Sequence, residues 1–176
     1  TFNAVYALAF SPRIVPAAEQ LVQLHTQDRR EPTRFRAFSY SAFRELKERR
    51  DLFSGVLAQK LTIVAVGEGA EARRMLAAAV SANFFDVLGV PPVRGRGFVS
   101  EEEAPGVDAP VAVVSHAYWR RTGYDPALLG STVRVNARLY TIVGITAPRF
   151  NGTQAMLGPD LYFPLGVYDS LASHDG

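Results

Sequence analysis

The stretch Ser131-Thr132-Val133-Arg134-Val135-Asn136-Ala137-Arg138-Leu139-Tyr140-Thr141-Ile142-Val143-Gly144-Ile145 decides how the rest of the chain is read. Val133 and Val135 lead into Asn136-Ala137-Arg138, and Leu139, Tyr140, Ile142 and Val143 lead out. β-Branched and aromatic residues on both sides of a short polar turn predict an antiparallel hairpin. Two-residue hairpin turns favour Asn-Gly because both central residues take positive φ. Ala137 stands where that glycine is usual, and at positive φ its Cβ costs about 1 kcal/mol. Gly144, inside the returning strand, predicts a bulge.

Working outward, the same period of two recurs from Val56 to Val66, and Gly67-Glu68-Gly69 turns the chain into a returning strand from Arg73 to Val80. Ser81 or Asn83 is then placed to cap a short helix, Phe84 to Leu88. Gly89 sits where a left-handed C-terminal cap belongs, and Pro91-Pro92 prevents continuation. Pro110 to Val114 reads as a short buried strand ending at Ser115, which caps a helix carrying Tyr118 and Trp119. Asp160 to Leu165 is a last apolar strand, after which the residues turn polar. Upstream, Ser39 or Ser41 caps a helix from about Ala42 to Asp51, with Phe43, Leu46 and Phe53 on its apolar side and a solvated charged face.

At 176 residues the chain is one domain, or one domain of two lobes, and is long enough to bury a core. Net charge is +2, and the arginine pairs Arg29-Arg30, Arg49-Arg50 and Arg120-Arg121 are scattered. Nucleic-acid binding needs a contiguous basic footprint, which is not found here. The absence of cysteine removes disulfides, thiolate metal sites and thiol catalysis. No run approaches the roughly 20 apolar residues that span a bilayer. Phe2 to Phe10 is apolar, yet it lacks the basic flank and cleavage pattern of a signal peptide. It reads as a buried strand or as the last turns of a membrane helix, and the residues taken alone favour the strand.

Candidate chemistry is sparse. Ser100-Glu101-Glu102-Glu103 offers three carboxylates, but Ser100 and Glu103 have capping-box spacing and no calcium-loop pattern follows. Ser115-His116 has neither a nucleophile elbow around it nor the side-chain directions of a catalytic pair. His25 and His174 lack a second ligand at helical spacing. Asn151-Gly152-Thr153 reads as a turn. No phosphate-binding loop occurs. No catalytic, cofactor-binding or metal-binding residue is therefore expected, and no cofactor.

Several blocks, in order, carry a resemblance. Phe38-Ser39-Tyr40-Ser41-Ala42-Phe43-Arg44-Glu45-Leu46 is followed by Ser81-Ala82-Asn83-Phe84-Phe85-Asp86-Val87-Leu88-Gly89-Val90 and by Arg94-Gly95-Arg96-Gly97-Phe98. Then come Pro110 to Ser115 with Tyr118-Trp119-Arg120-Arg121, Leu129 to Asn136 with Tyr140 to Ile145, and Asp160 to Leu165. Together they resemble the MacB-like periplasmic core domain of ABC-transporter permeases, in its acidobacterial-type flavour.

The resemblance implies an α+β fold with a mixed sheet and two lobes. One is a porter-like, membrane-proximal lobe that includes the Ser39–Asp51 helix; the other projects outward from about Leu57 to Leu165. It implies that residues 1–10 are the tail of a membrane helix, 11–37 a linker, and 38–176 the core domain. Family members continue with a further strand–helix–strand unit, so the porter-like lobe is expected to be incomplete at Gly176, with an unpaired edge that invites a homodimer. The implied role is non-catalytic: coupling membrane-helix motion to substrate export or release on the extracytoplasmic face of a bacterial inner membrane. The partners implied are an ABC ATPase subunit and a periplasmic adaptor or outer-membrane protein. The competing reading is a secreted carbohydrate-binding module or hydrolase of α+β fold, for which Trp119, Tyr124 and Tyr162 would supply exposed rings.

Overall fold

A computed structural model describes residues 2–7, 22–27, 35–36, 39–104, 106–153 and 158–172. The chain divides into two compact units, residues 1–56 and 57–176.

The first unit holds a three-stranded sheet in the order β1 (Phe2–Ala7), β2 (Val22–Gln27), β3 (Phe35–Arg36). β1 and β2 are antiparallel, with Val5 opposite Leu24 and Ala7 opposite Val22. Phe2–Ala7, expected within the tail of a membrane helix, is strand, and pairing with β2 satisfies the backbone of this short apolar run. The stretch 11–37, expected as a linker, contains β2 and β3; Val22, Leu24 and Thr26 alternate with polar neighbours at strand spacing. Among the described residues no helix is long and apolar enough to cross a membrane. Helix α1 (Tyr40–Glu48) follows. Ser39 is its cap, with Oγ accepting from the Ala42 N–H at 3.2 Å, while Ser41 lies inside the helix. Phe43 is the residue α1 buries.

The second unit is built on β4 (Gln59–Val66), β5 (Arg73–Val80), β6 (Arg94–Gly95), β7 (Val111–Val114), β8 (Thr132–Val135), β9 (Arg138–Ile145) and β10 (Leu161–Pro164). Short helices α2 (Phe84–Val87), α3 (Ser100–Glu103), α4 (His116–Arg121) and α5 (Tyr168–Ala172) lie between and after them. The strands form one mixed sheet in the order β6-β9-β7-β10-β5-β4-β8, and β8 pairs with β9 as well, so the sheet closes on itself. β10 runs parallel to β5, and β7 parallel to β9; the remaining pairs are antiparallel. The fold is α+β with a mixed sheet, as expected.

Every residue of β10 is buried, which is why Leu161-Tyr162-Phe163 reads as an unbroken apolar run. Leu161 and Phe163 join Val64, Ala77, Val114, Tyr140 and Ile142 in one apolar cluster. Tyr162 points the other way, into a group of rings formed by Phe84, Phe85 and Phe150, with Phe98 tilted against Phe85. Burying each such ring contributes about 1.5–3 kcal/mol. The polar ending expected after Leu165 is corrected: a 3₁₀ turn and α5 carry Val167 and Leu171 into the first cluster.

The hairpin turns through Asn136 (φ 47°) and Ala137 (φ 64°), the two-residue turn that the sequence predicts, with its strained alanine. The bulge expected at Gly144 lies between Ala112 opposite Ile142 and Val113 opposite Gly144. Gly144 is also opposite Gly95, and a Cβ on either residue would collide with backbone of the other segment. This close approach demands glycine on both sides.

Candidate functional site

Ser115 ends β7 in extended backbone, and its Oγ accepts from the Tyr118 N–H at 3.0 Å, so it caps α4. The His116 imidazole does not approach it as a base would. It packs edge-on against the rings of Trp119 and Tyr124, each at 5.6 Å between centroids. Asp160 lies 3.4 Å from Ser115 Oγ but is committed to Arg121 at 2.6 Å. Ser115 and Asp160 share a long hydrogen bond, while His116 packs against aromatic rings, so the three side chains are not arranged as a serine–histidine–aspartate relay.

The acidic run is also consumed locally, though not as its spacing suggests. Val99, not Ser100, is the N-cap of α3, and the carboxylate that reaches back is Glu102, not Glu103. Glu102 accepts from the Val99 N–H at 2.9 Å and pairs with Arg96 at 2.8 Å. Burial alone would raise the Glu102 carboxyl, but the bonds from Arg96 and Val99 outweigh it and hold it below the ordinary carboxylate range. Glu103 turns inward, is buried, and accepts from the Ala82 N–H at 2.7 Å. Among the described residues no cluster of His, Asp or Glu is arranged to hold a metal. The side chain of His25, and all of His174, lie outside the described residues.

The caps proposed for α2 differ as well. Ser81 Oγ accepts from the Ala58 N–H at 3.0 Å instead of capping, and Asn83 occupies the cap position without a capping side-chain bond. Gly89 does take the left-handed conformation (φ 67°), with the Gly89 and Val90 N–H groups donating to the Asp86 and Phe85 carbonyls. Gly152-Thr153 forms the expected turn.

Two surface features remain. One is a shallow cleft of about 480 Å³ between the tips of the β4–β5 and β8–β9 hairpins, with Gly67, Glu68, Arg134 and Ala137 in its walls. Its cation is neutralised in place, since Arg134 Nε lies 2.6 Å from Glu68 Oε1. The other is the aromatic group at the end of α4. Trp119 donates from Nε1 to the Asp125 carbonyl at 2.9 Å, and Tyr124 stands edge-on to it at 5.0 Å. The Arg94 guanidinium lies over the Trp119 ring at 5.0 Å. Tyr162, offered with Trp119 and Tyr124 as an exposed binding ring, is wholly buried. Arg94 had no signal in the sequence, being 25 residues from Trp119 and brought to it only by the β6–β9 pairing.

The model of the MacB-like periplasmic core domain matches residues 7–175. The chain belongs to that family. As a MacB-like core domain it shares its fold with the crystal structure of the periplasmic region of MacB from Actinobacillus actinomycetemcomitans: TM-score 0.60, 18% identity, covering 81% of this chain and 62% of that one. The extracellular domain of the noncanonic ABC-type transporter YknZ from Gram-positive bacteria is similar at TM-score 0.59 and 15% identity, over 76% of this chain and 65% of that one. This MacB-like domain thus spans under two thirds of either structure. No curated protein matches it. The family match begins at residue 7, so all of the stretch expected as linker lies within the matched range.

Proposed function

We propose that the chain is the non-catalytic extracytoplasmic part of an ABC-transporter-type permease, passing the motion of membrane helices on to substrate export or release. The family match over residues 7–175 carries this reading. The site geometry agrees with it: the polar side chains that invite catalysis, Ser115, Asp160, Glu102 and Glu103, are occupied by caps, ion pairs and backbone N–H groups. In this reading residues 1–56 belong to the membrane-proximal, porter-like lobe and residues 57–176 form the outward lobe. The working parts are surfaces and hinges, the nucleotide binds a separate ATPase subunit, and an adaptor or a second copy docks outside the membrane.

The test is membrane fractionation of the full-length parent, followed by purification and assay of ATPase activity. Recovery from the membrane with an ABC ATPase subunit supports the reading. A soluble parent that purifies without one overturns it.

A further inference from the structure

The aromatic group on α4 carries more than its packing requires. Gly123 (φ 72°) and the next residue supply a helix stop, with the Gly123 and Tyr124 N–H groups donating to the Arg120 and Trp119 carbonyls. That stop needs left-handed backbone at Gly123 alone. Tyr124 is nonetheless also left-handed (φ 60°), an unfavourable conformation for a bulky residue, and the residue is 46% exposed. The strain holds an exposed ring against Trp119.

Two of the cations beside these rings, Arg94 and Arg120, lack a carboxylate partner among the described residues. Arg94 is exposed, its guanidinium lies on Trp119, and no carboxylate among the described residues pairs with it. Arg120, one turn beyond His116 on α4, is exposed, and its guanidinium has no hydrogen-bond or ion-pair partner among the described residues. The nearby acids are engaged: Asp125 Oδ1 accepts from the Ala127 N–H, and Asp160 holds Arg121. The surface is therefore aromatic and cationic at once. Trp119 offers a sugar little open surface, since Arg94 covers a face of it and His116 and Tyr124 pack perpendicular to it; Tyr124 is the exposed ring of the group.

We propose that Arg94, Arg120, Trp119 and Tyr124 form a docking surface for an acidic segment of a partner polypeptide. Carboxylates of the segment meet the two guanidiniums, and its stem packs on the exposed Tyr124 ring. The inference deepens the proposed function by naming the chemistry of a partner. It is tested separately, since a permease without this surface and a surface without a permease give different results in the two experiments.

Trp119 is the single tryptophan, so its fluorescence reports on the surface directly. The chain is titrated with poly-L-glutamate, with maltohexaose as the neutral comparison, at low and high salt. The expected result is a saturable change in Trp119 emission with poly-L-glutamate, weakened by salt, and about fivefold weaker binding in Arg120→Gln. The Arg120 guanidinium has no partner among the described residues to lose, and its backbone bond is kept by glutamine, so that variant leaves the fold intact, which circular dichroism confirms. The proposal is overturned by any of three results: no saturable response, a response indifferent to salt and to Arg120→Gln, or a response to maltohexaose in place of poly-L-glutamate.

Discussion

Asn136 and Ala65 exchange two hydrogen bonds: the Asn136 N–H donates to the Ala65 carbonyl at 2.9 Å, and Asn136 Oδ1 accepts from the Ala65 N–H at 2.8 Å. The same carboxamide donates from Nδ2 to the Leu171 carbonyl at 2.9 Å. One turn residue thereby fastens its hairpin to β4 and to α5. Asn136→Ala removes two partly buried side-chain bonds and leaves their backbone partners unmet, and is expected to cost about 2 kcal/mol. Urea unfolding measures this; a loss within about 0.5 kcal/mol, the range of ordinary surface substitutions, would contradict the fastening role.

The neighbouring Ala137 is expected to respond in the opposite sense. At φ 64° its Cβ is strained, and Ala137→Gly removes that strain at some cost in unfolded-chain entropy. The net gain expected is about 0.5–1 kcal/mol, which for a chain of this size raises Tm by about 1–4 °C. A lower Tm in the glycine variant would show that the methyl group has a packing role.

Tyr162 buries its hydroxyl without a hydrogen-bond partner among the described residues, and burial, with Asp160 adding to it, pushes the group's pKa far above the usual phenol value. A hydroxyl in that state contributes desolvation cost and no bond. Tyr162→Phe keeps the ring among Phe84, Phe85 and Phe150, so it is expected to be neutral or to stabilise by up to about 1 kcal/mol. A clear loss of stability on calorimetry would mean that the hydroxyl has a partner.

Glu102 gives the second unit an acid-sensitive tie. Its folded pKa is depressed, so its contribution is present above the unfolded value, near 4.3, and is lost as pH falls through the folded one. Arg96 is about half exposed and solvent screens the pair, so the contribution is about 1 kcal/mol or less. The wild-type urea midpoint should fall from about pH 5 downward, and Glu102→Gln should start lower at neutral pH and fall less over the same window. Identical slopes in the two proteins would remove Glu102 from the account.

What the sequence displays depends on how local the cause is. The hairpin at Asn136-Ala137, the cap at Ser115, the stop at Gly89 and the bulge at Gly144 are each written in a few adjacent residues, and each is present. The acidic run misleads because capping-box spacing fits two registers; Arg96, which favours Glu102 over Glu103, becomes visible only once β6 is placed. Ser81 misleads for the same reason, since its partner Ala58 lies across β4–β5. At Phe2–Ala7 the residues taken alone favour strand, and the run is a strand paired with β2. Of the aromatic surface, Trp119 and Tyr124 stand out as types, but Arg94 reaches them through strand pairing that no periodicity encodes.

The sheet's closure through β8 sets an order of opening. β4 and β5 run side by side from Gln59 opposite Val80 to Val66 opposite Arg73, whereas β4 meets β8 at Val66 opposite Val135 alone. Bonds from Gly67 to the Arg134 carbonyl and from Asn136 to the Ala65 carbonyl flank that point. Amide exchange should therefore be earliest at Gly67 and Asn136 and slowest along β5 and β10, where neighbours lie on both sides. A sheet built this way behaves as a cuff with a clasp: its rim can be loosened and refastened while the apolar centre around Leu161 and Phe163 stays shut.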